Sequence, residues 1–89
     1  MSRELILFTS PTCGPCKLLK PRLAEIAAEL GITYHLIELD ASNRTEFGRR
    51  DVRSVPVLMC VEGDKEIGRF GGNLPEEAIR RHLIDWGVL

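Results

Sequence analysis

No stretch of this sequence is apolar for long. Near its start the only such run is Leu5-Ile6-Leu7-Phe8, far too short for the core of a signal peptide or for a membrane span. The expectation is a soluble protein retained in the cytoplasm, with no membrane partner. Neither sign of charge dominates. The 12 basic and 13 acidic side chains leave a formal net charge of -1, which removes the electrostatic motive for binding nucleic acid or an anionic lipid surface. Cysteine is scarce as well. Three in 89 residues, an odd number, argue against a secreted scaffold held by several disulfides. Internal repeats, low-complexity tracts and linker-like segments are missing, and the length leaves room for one core, so residues 1–89 are read as a single domain. What is present is ordinary: 44% apolar and 28% charged residues fit a globular protein rather than a disordered or fibrous one.

Local patterns supply the elements. Residues 4–8 are nearly all apolar, as a strand buried on both faces is, and the Thr9-Ser10-Pro11 cluster ends it with a turn. Over residues 13–30, Leu19, Leu23, Ile26 and Leu30 recur at alternating four- and three-residue spacing, which predicts an amphipathic helix closed by Gly31 and kinked at Pro21. Ile32, Tyr34, Leu36, Ile37 and Leu39 mark a second strand, reached through a helix and therefore parallel to the first. Asn43 and Glu46 have capping-box spacing for a short helix ending near Gly48. Residues 55–61 and 66–70 read as an antiparallel hairpin about Glu62-Gly63-Asp64-Lys65. Asn73 and Glu76 repeat the capping-box spacing, Pro75 suits a first turn, and Ile79, Leu83 and Trp86 give the last helix one apolar face. The order βαβαββα predicts an α/β fold, a four-stranded mixed sheet flanked by three helices.

Two of the three cysteines stand together in Cys13-Gly14-Pro15-Cys16. In a reducing compartment that spacing points to redox chemistry or to metal. A tetrahedral zinc site wants four ligands, and the sequence has neither a second such pair nor a spaced pair of histidines. Cys13 falls where the first helix begins, so unpaired N–H groups and the helix dipole favour its thiolate. It is the candidate attacking sulfur. Cys16 lies one turn along on the same face, placed to resolve a mixed disulfide from a more shielded position. Cys60 lies in an apolar strand and reads as core, as does Trp86, while His35 and His82 have no partners at ligand spacing. Arg44, Arg49, Arg50 and Arg53 cluster about the second helix, either as a solvated face or toward an acidic partner.

With these residues in place, Cys13-Gly14-Pro15-Cys16-Lys17 at a strand-to-helix junction resembles the active-site motif of the thioredoxin superfamily, and Pro21 matches that family's proline in the same helix. Val52-Arg53-Ser54-Val55-Pro56-Val57 is similar to the segment carrying the family's cis-proline, and residues 62–71 to its hairpin. Thr12 stands where thioredoxins have a tryptophan and Leu7 where they have a buried aspartate, and the outline is that of a compact form sharing its plan with small glutaredoxins. The resemblance implies a protein-disulfide reductase cycling between dithiol and disulfide at Cys13 and Cys16, with no metal or organic cofactor. Thr12, Gly14, Pro15, Val55, Pro56, Gly71 and Gly72 would then form the substrate surface, with Val55-Pro56 in the cis form against the pair. Disulfide-containing proteins are the implied partners of a monomer, with thioredoxin reductase as donor. Glutathione is the alternative donor, since Gly71-Gly72 is similar to the glutaredoxin double glycine. A redox-switched binding module without turnover is the alternative of a different class.

Overall fold

The computed structural model describes residues 3–72 and 74–89. Along them run β1 (Glu4–Thr9), α1 (Gly14–Leu30), β2 (Tyr34–Glu38), α2 (Arg44–Arg49), β3 (Val57–Glu62), β4 (Lys65–Gly71) and α3 (Glu76–Asp85). The strands make one sheet in the order β2-β1-β3-β4, with β1 parallel to β2 and antiparallel to β3, and β3 antiparallel to β4. This is the expected four-stranded mixed sheet with three helices.

Period-two alternation along β1 divides the core. Leu5 and Leu7 point to the face covered by Leu19, Leu23 and Ile26 of α1 and Ile79 and Leu83 of α3, joined by Leu58, Cys60, Phe70 and Trp86. Ile6 and Phe8 point to the other face, where Phe47 of α2 packs with Val52, Val57, Met59 and Val61. Because both faces are covered, β1 is apolar from Leu5 to Phe8 and β3 from Val57 to Val61. Each fully buried leucine or isoleucine contributes about 1.5–3 kcal/mol of transfer free energy, enough to hold both helices against the sheet.

Several boundaries differ from the sequence reading for identifiable reasons. β2 starts at Tyr34 rather than residue 32 because the Ile32 N–H donates to the Ala27 carbonyl (3.0 Å) where α1 ends. Val55 lies outside the β3 ladder, which begins after Pro56 at Val57. Asn43 does stand at the N-cap of α2, but no capping box forms. Its Oδ1 accepts the Asp40 N–H (2.9 Å), and Glu46 turns away to Arg49 and Arg50. Asp40 does the local work instead, accepting from Ser42 N–H, Ser42 Oγ and Asn43 N–H. These bonds hold the Asp40 carboxyl below its ordinary range. Pro75 occupies the N-cap of α3, and the capping role expected of Asn73 falls outside the described residues.

Two close fits carry this frame. Gly68 of β4 lies under the indole of Trp86, so that a Cβ there would overlap Nε1 and stand 2.8 Å from Cδ1. Trp86 is further held by stacking on Phe70, with the His82 ring tilted against it. Arg69, next along β4, reaches across to the end of α2, donating to the Arg50 carbonyl (2.6 Å) and the Asp51 carbonyl (3.1 Å) while pairing with Glu66 (2.7 Å). The clamp closes over Asp51, whose φ of 55° is left-handed. Such a conformation costs of order 1 kcal/mol or more in a residue other than glycine. It thereby fixes the chain that leads into Val55 and Pro56.

Gly68→Ala is expected to lower stability by roughly 1–3 kcal/mol through overpacking, read as a fall in the denaturation midpoint together with a changed Trp86 fluorescence spectrum. An unchanged midpoint and spectrum would contradict the packing. Hydrogen bonds from Arg69 hold the Glu66 carboxyl below its ordinary value of 4.5. A depressed folded pKa contributes stability above the unfolded value and loses it as the pH falls through the folded one. Glu66→Gln is therefore expected to cost up to about 1 kcal/mol at neutral pH, small because the pair is about one-third exposed. That difference closes on acidification below about pH 4.5. A gap independent of pH in paired denaturation curves would contradict the ionic contribution.

Candidate active site

β1 ends because the next residues favour a turn. Pro11 has no N–H to give the ladder, and the Cys13 N–H closes back on the Ser10 carbonyl (3.2 Å). Ser10 Oγ accepts the Thr12 N–H (3.3 Å) and pairs with Thr12 Oγ1 (3.2 Å). The turn delivers Cys13 to the N-cap of α1 in an extended conformation (φ -87°, ψ 110°), where its Sγ accepts the Cys16 N–H at 3.2 Å. Gly14 and Pro15 open the helix, where the missing proline N–H leaves no bond unmade.

Cys13 and Cys16 are joined as a disulfide with their Cα atoms 5.3 Å apart. Their environments differ. Cys13 is half-buried at the surface, whereas Cys16 is fully buried on the inner side of the helix with Leu19 and Leu23. A thiolate formed at Cys13 stands at the positive end of the helix dipole with a backbone N–H directed at it, and the first turn of α1 contains no acidic residue to oppose it. The arrangement suits attack by the outer sulfur and internal displacement by the inner one.

The opposite wall comes from the other strands. The register Phe8↔Val57 sets the start of β3 beside the end of β1, so the Val55-Pro56 bond, which is cis, lies at the end of the sheet from which the Cys13 loop emerges. Val57↔Gly71 brings β4 to the same end, and the Gly72 N–H donates to the Pro56 carbonyl (3.0 Å). Gly72 has φ 93°, a conformation that side chains rarely adopt. All nine residues singled out in the sequence therefore gather at one end of the sheet. Thr12, Gly14, Pro15 and Gly71 are exposed, Cys13, Val55 and Gly72 half-buried, and Pro56 and Cys16 buried.

The other candidates lie elsewhere. Cys60 pairs in register with Leu5, at the far end of β1 from Cys13, and burial pushes its thiol pKa up, away from the thiolate form. His35 bonds Glu4 at the sheet edge (2.8 Å), and His82 stacks on Phe70 with ring centroids 4.6 Å apart. Among the described residues no three His, Cys, Asp or Glu side chains come together to hold a metal, and no helix is long and apolar enough to cross a membrane. Leu7 is part of the apolar core, so β1 brings no charge beneath the pair at that position. Sequence reasoning missed Thr9. It is fully buried at the end of β1, and its hydroxyl has no hydrogen-bond partner among the described residues. The one available signal was its place two residues beyond Leu7 on the same strand face.

Comparison with known proteins agrees with this geometry. The thioredoxin family model matches residues 2–85. Thioredoxin from Bacillus subtilis (strain 168) is 31% identical over 74 residues, 82% of this chain and 71% of that one. A bifunctional thioredoxin reductase/thioredoxin from Mycobacterium leprae (strain TN) is 33% identical over 82 residues, covering 91% of this chain but 18% of that longer one. The X-ray structure of Fasciola hepatica thioredoxin superposes with a TM-score of 0.83 at 23% identity, over 93% of this chain and 79% of that one, which shows the shared fold. With a redox pair at the start of α1, a cis-proline at the same end of the sheet and the family match over nearly its whole length, the chain belongs to the thioredoxin family and is a thiol-disulfide oxidoreductase.

Proposed function

We propose that this protein reduces disulfides in other proteins by a two-step exchange in which Cys13 attacks and Cys16 resolves. The observation that carries the reading is the unequal burial of two linked sulfurs at a helix N-terminus. In the first step the Cys13 thiolate attacks one sulfur of the target disulfide, forming a mixed disulfide and expelling the other sulfur as a thiolate. In the second, the Cys16 thiol gives up its proton and attacks Cys13 Sγ, releasing the second target sulfur. The target gains two electrons and two protons, and the pair is left as the observed disulfide.

Thr12, Gly14 and Pro15 on one side, and Val55, Pro56, Gly71 and Gly72 on the other, form the surface that receives the target. Val55 lies outside the β3 ladder, so its backbone N–H and C=O are placed to pair with an extended target segment in the manner of an added strand. The two sulfurs carry both electrons, and the cycle calls for neither metal nor organic cofactor. One chain supplies the whole site, which supports action as a monomer. The cytoplasm, where thiols are kept reduced, suits a pair that must be returned to the dithiol after each turnover.

For the electron donor we favour a thioredoxin reductase. The Mycobacterium leprae relative carries a reductase and a thioredoxin in one chain, and Gly14-Pro15 of the present motif is of the thioredoxin kind. The test is to oxidise the protein and supply either NADPH with thioredoxin reductase or glutathione with its own reductase, following insulin precipitation. Many turnovers are expected with thioredoxin reductase and few with glutathione. Turnover driven by glutathione alone would replace this reading with the glutathione-dependent one. Reduction of the pair without insulin turnover in either system would favour a redox-switched binding module.

A further inference from the structure

Thr9 is the one buried polar side chain among the described residues, with none of its surface exposed. Its backbone is spent in the sheet, where it lies in register with Glu38 and its carbonyl accepts the Leu39 N–H (2.8 Å). Its hydroxyl has no hydrogen-bond partner among the described residues. A hydroxyl enclosed in this way is destabilising, because the bonds it made to water in the unfolded chain are not replaced. Valine, of similar shape, would carry no such cost. No group among the described residues offsets it while Cys13 and Cys16 are joined. The other state of the cycle, the dithiol, offers a partner.

Placement identifies that partner. β1 and β2 are parallel, so α1, which joins them, runs back along the sheet against the direction of β1. Leu5 and Leu7 of β1 share one cluster with Leu19, Leu23 and Ile26 of α1. Two residues beyond Leu7 on the same strand face, about 6.6 Å along, comes Thr9. Three residues before Leu19 on the same helix stripe, about 4.5 Å along in the same direction, comes the fully buried Cys16. The two therefore stand level at one end of the layer between sheet and helix. The turn between them is closed by the Cys13 N–H on the Ser10 carbonyl (3.2 Å).

We infer that Thr9 is the hydrogen-bonding partner of Cys16 in the reduced protein and holds its sulfur while it resolves the mixed disulfide. In the disulfide form the Cys16 side chain is fixed by its bond to Cys13. Cutting that bond leaves a thiol that can turn about Cα–Cβ to another staggered position. A hydroxyl both donates and accepts, so it accepts from the S–H of the resting thiol and donates to the thiolate that attacks Cys13 Sγ. The second bond is the stronger, because its acceptor is charged. As the Cys13–Cys16 bond forms and the bond from Cys13 to the target breaks, the proton from Cys16 leaves with the target sulfur and Thr9 keeps its own. This role rests on the reading of Cys16 as the resolving sulfur, and it makes Thr9 favour the dithiol over the disulfide.

The test compares the wild-type protein with Thr9→Val and Thr9→Ser, each equilibrated with reduced and oxidised glutathione at fixed pH and assayed for dithiol and disulfide. Thr9→Val is expected to favour the disulfide about tenfold more than the wild type, a potential about 30 mV more negative. Thr9→Ser, which keeps the hydroxyl, is expected to stay close to the wild type. In denaturation curves Thr9→Val raises the midpoint of the disulfide form relative to that of the dithiol form. In rapid mixing with a disulfide-containing target, attack by Cys13 proceeds at the wild-type rate and release of the target is about fivefold slower, the scale of one hydrogen bond. Equal shifts of both midpoints with an unchanged glutathione equilibrium show that Thr9 only packs, and overturn the role. A change in Thr9→Ser as large as that in Thr9→Val overturns it too. Either result leaves the reductase reading standing. A wild-type protein that forms the mixed disulfide but never releases the target overturns the reading of Cys16, and the role of Thr9 with it.

Discussion

An α-helix leaves its first backbone N–H groups without partners inside the helix, and here Cys13 Sγ accepts one of them, from Cys16, at 3.2 Å. That contact fixes which sulfur is the outer one. It depends on β1 being immobile, which follows from the burial of Leu5, Ile6, Leu7 and Phe8 against helices on both faces of the sheet. It depends also on the turn through Ser10, Pro11 and Thr12, which ends the strand and starts the helix within four residues. α1 is then held by Leu19, Leu23 and Ile26, and Cys16, on the same inward stripe, is drawn into the core with them. The asymmetry of the pair is thus a consequence of helix periodicity.

The surroundings divide the labour between the two sulfurs. The outer one is half-exposed at the end of the sheet that also carries a cis-proline whose carbonyl is tied to Gly72, and the inner one is fully buried. Leu7 contributes no charge there. Arg69 acts at longer range, since by bonding the carbonyls of Arg50 and Asp51 it holds the left-handed turn from which the Val55-Pro56 segment departs. The same turn sets Arg53 at the mouth of a cavity between α2 and the loop before β3. A clamp on β4 therefore shapes a surface at the end of α2.

Much of this was legible in the sequence, because it depends on patterns that are local. Two-sided burial of β1 and β3 is written as unbroken apolar runs, α1 as a stripe of leucine and isoleucine, the hairpin as Gly63-Asp64, and the redox pair as two cysteines at the strand-to-helix junction. What was not legible depends on side chains distant in sequence or on choices between equivalent partners. Asn43 and Glu46 have the spacing of a capping box, yet Asp40 and the nearby arginines compete for the same groups and prevail. The cavity draws its lining from Leu39, Phe47, Val52 and Val55, which only the packing of α2 on the sheet brings together. Nor does any local pattern reveal that the Thr9 hydroxyl is enclosed without a partner.

The assignment of an outer, attacking sulfur and an inner, resolving one is tested most directly by trapping. Reduced Cys13→Ser and Cys16→Ser proteins are each incubated with a disulfide-containing protein, and the covalent adducts are separated without reductant. The account predicts that Cys16→Ser accumulates a stable mixed disulfide through Cys13, since no resolving cysteine remains beside it, while Cys13→Ser forms almost none because both of its remaining cysteines, Cys16 and Cys60, are enclosed. Equal trapping by the two variants, or trapping by Cys13→Ser alone, would contradict it.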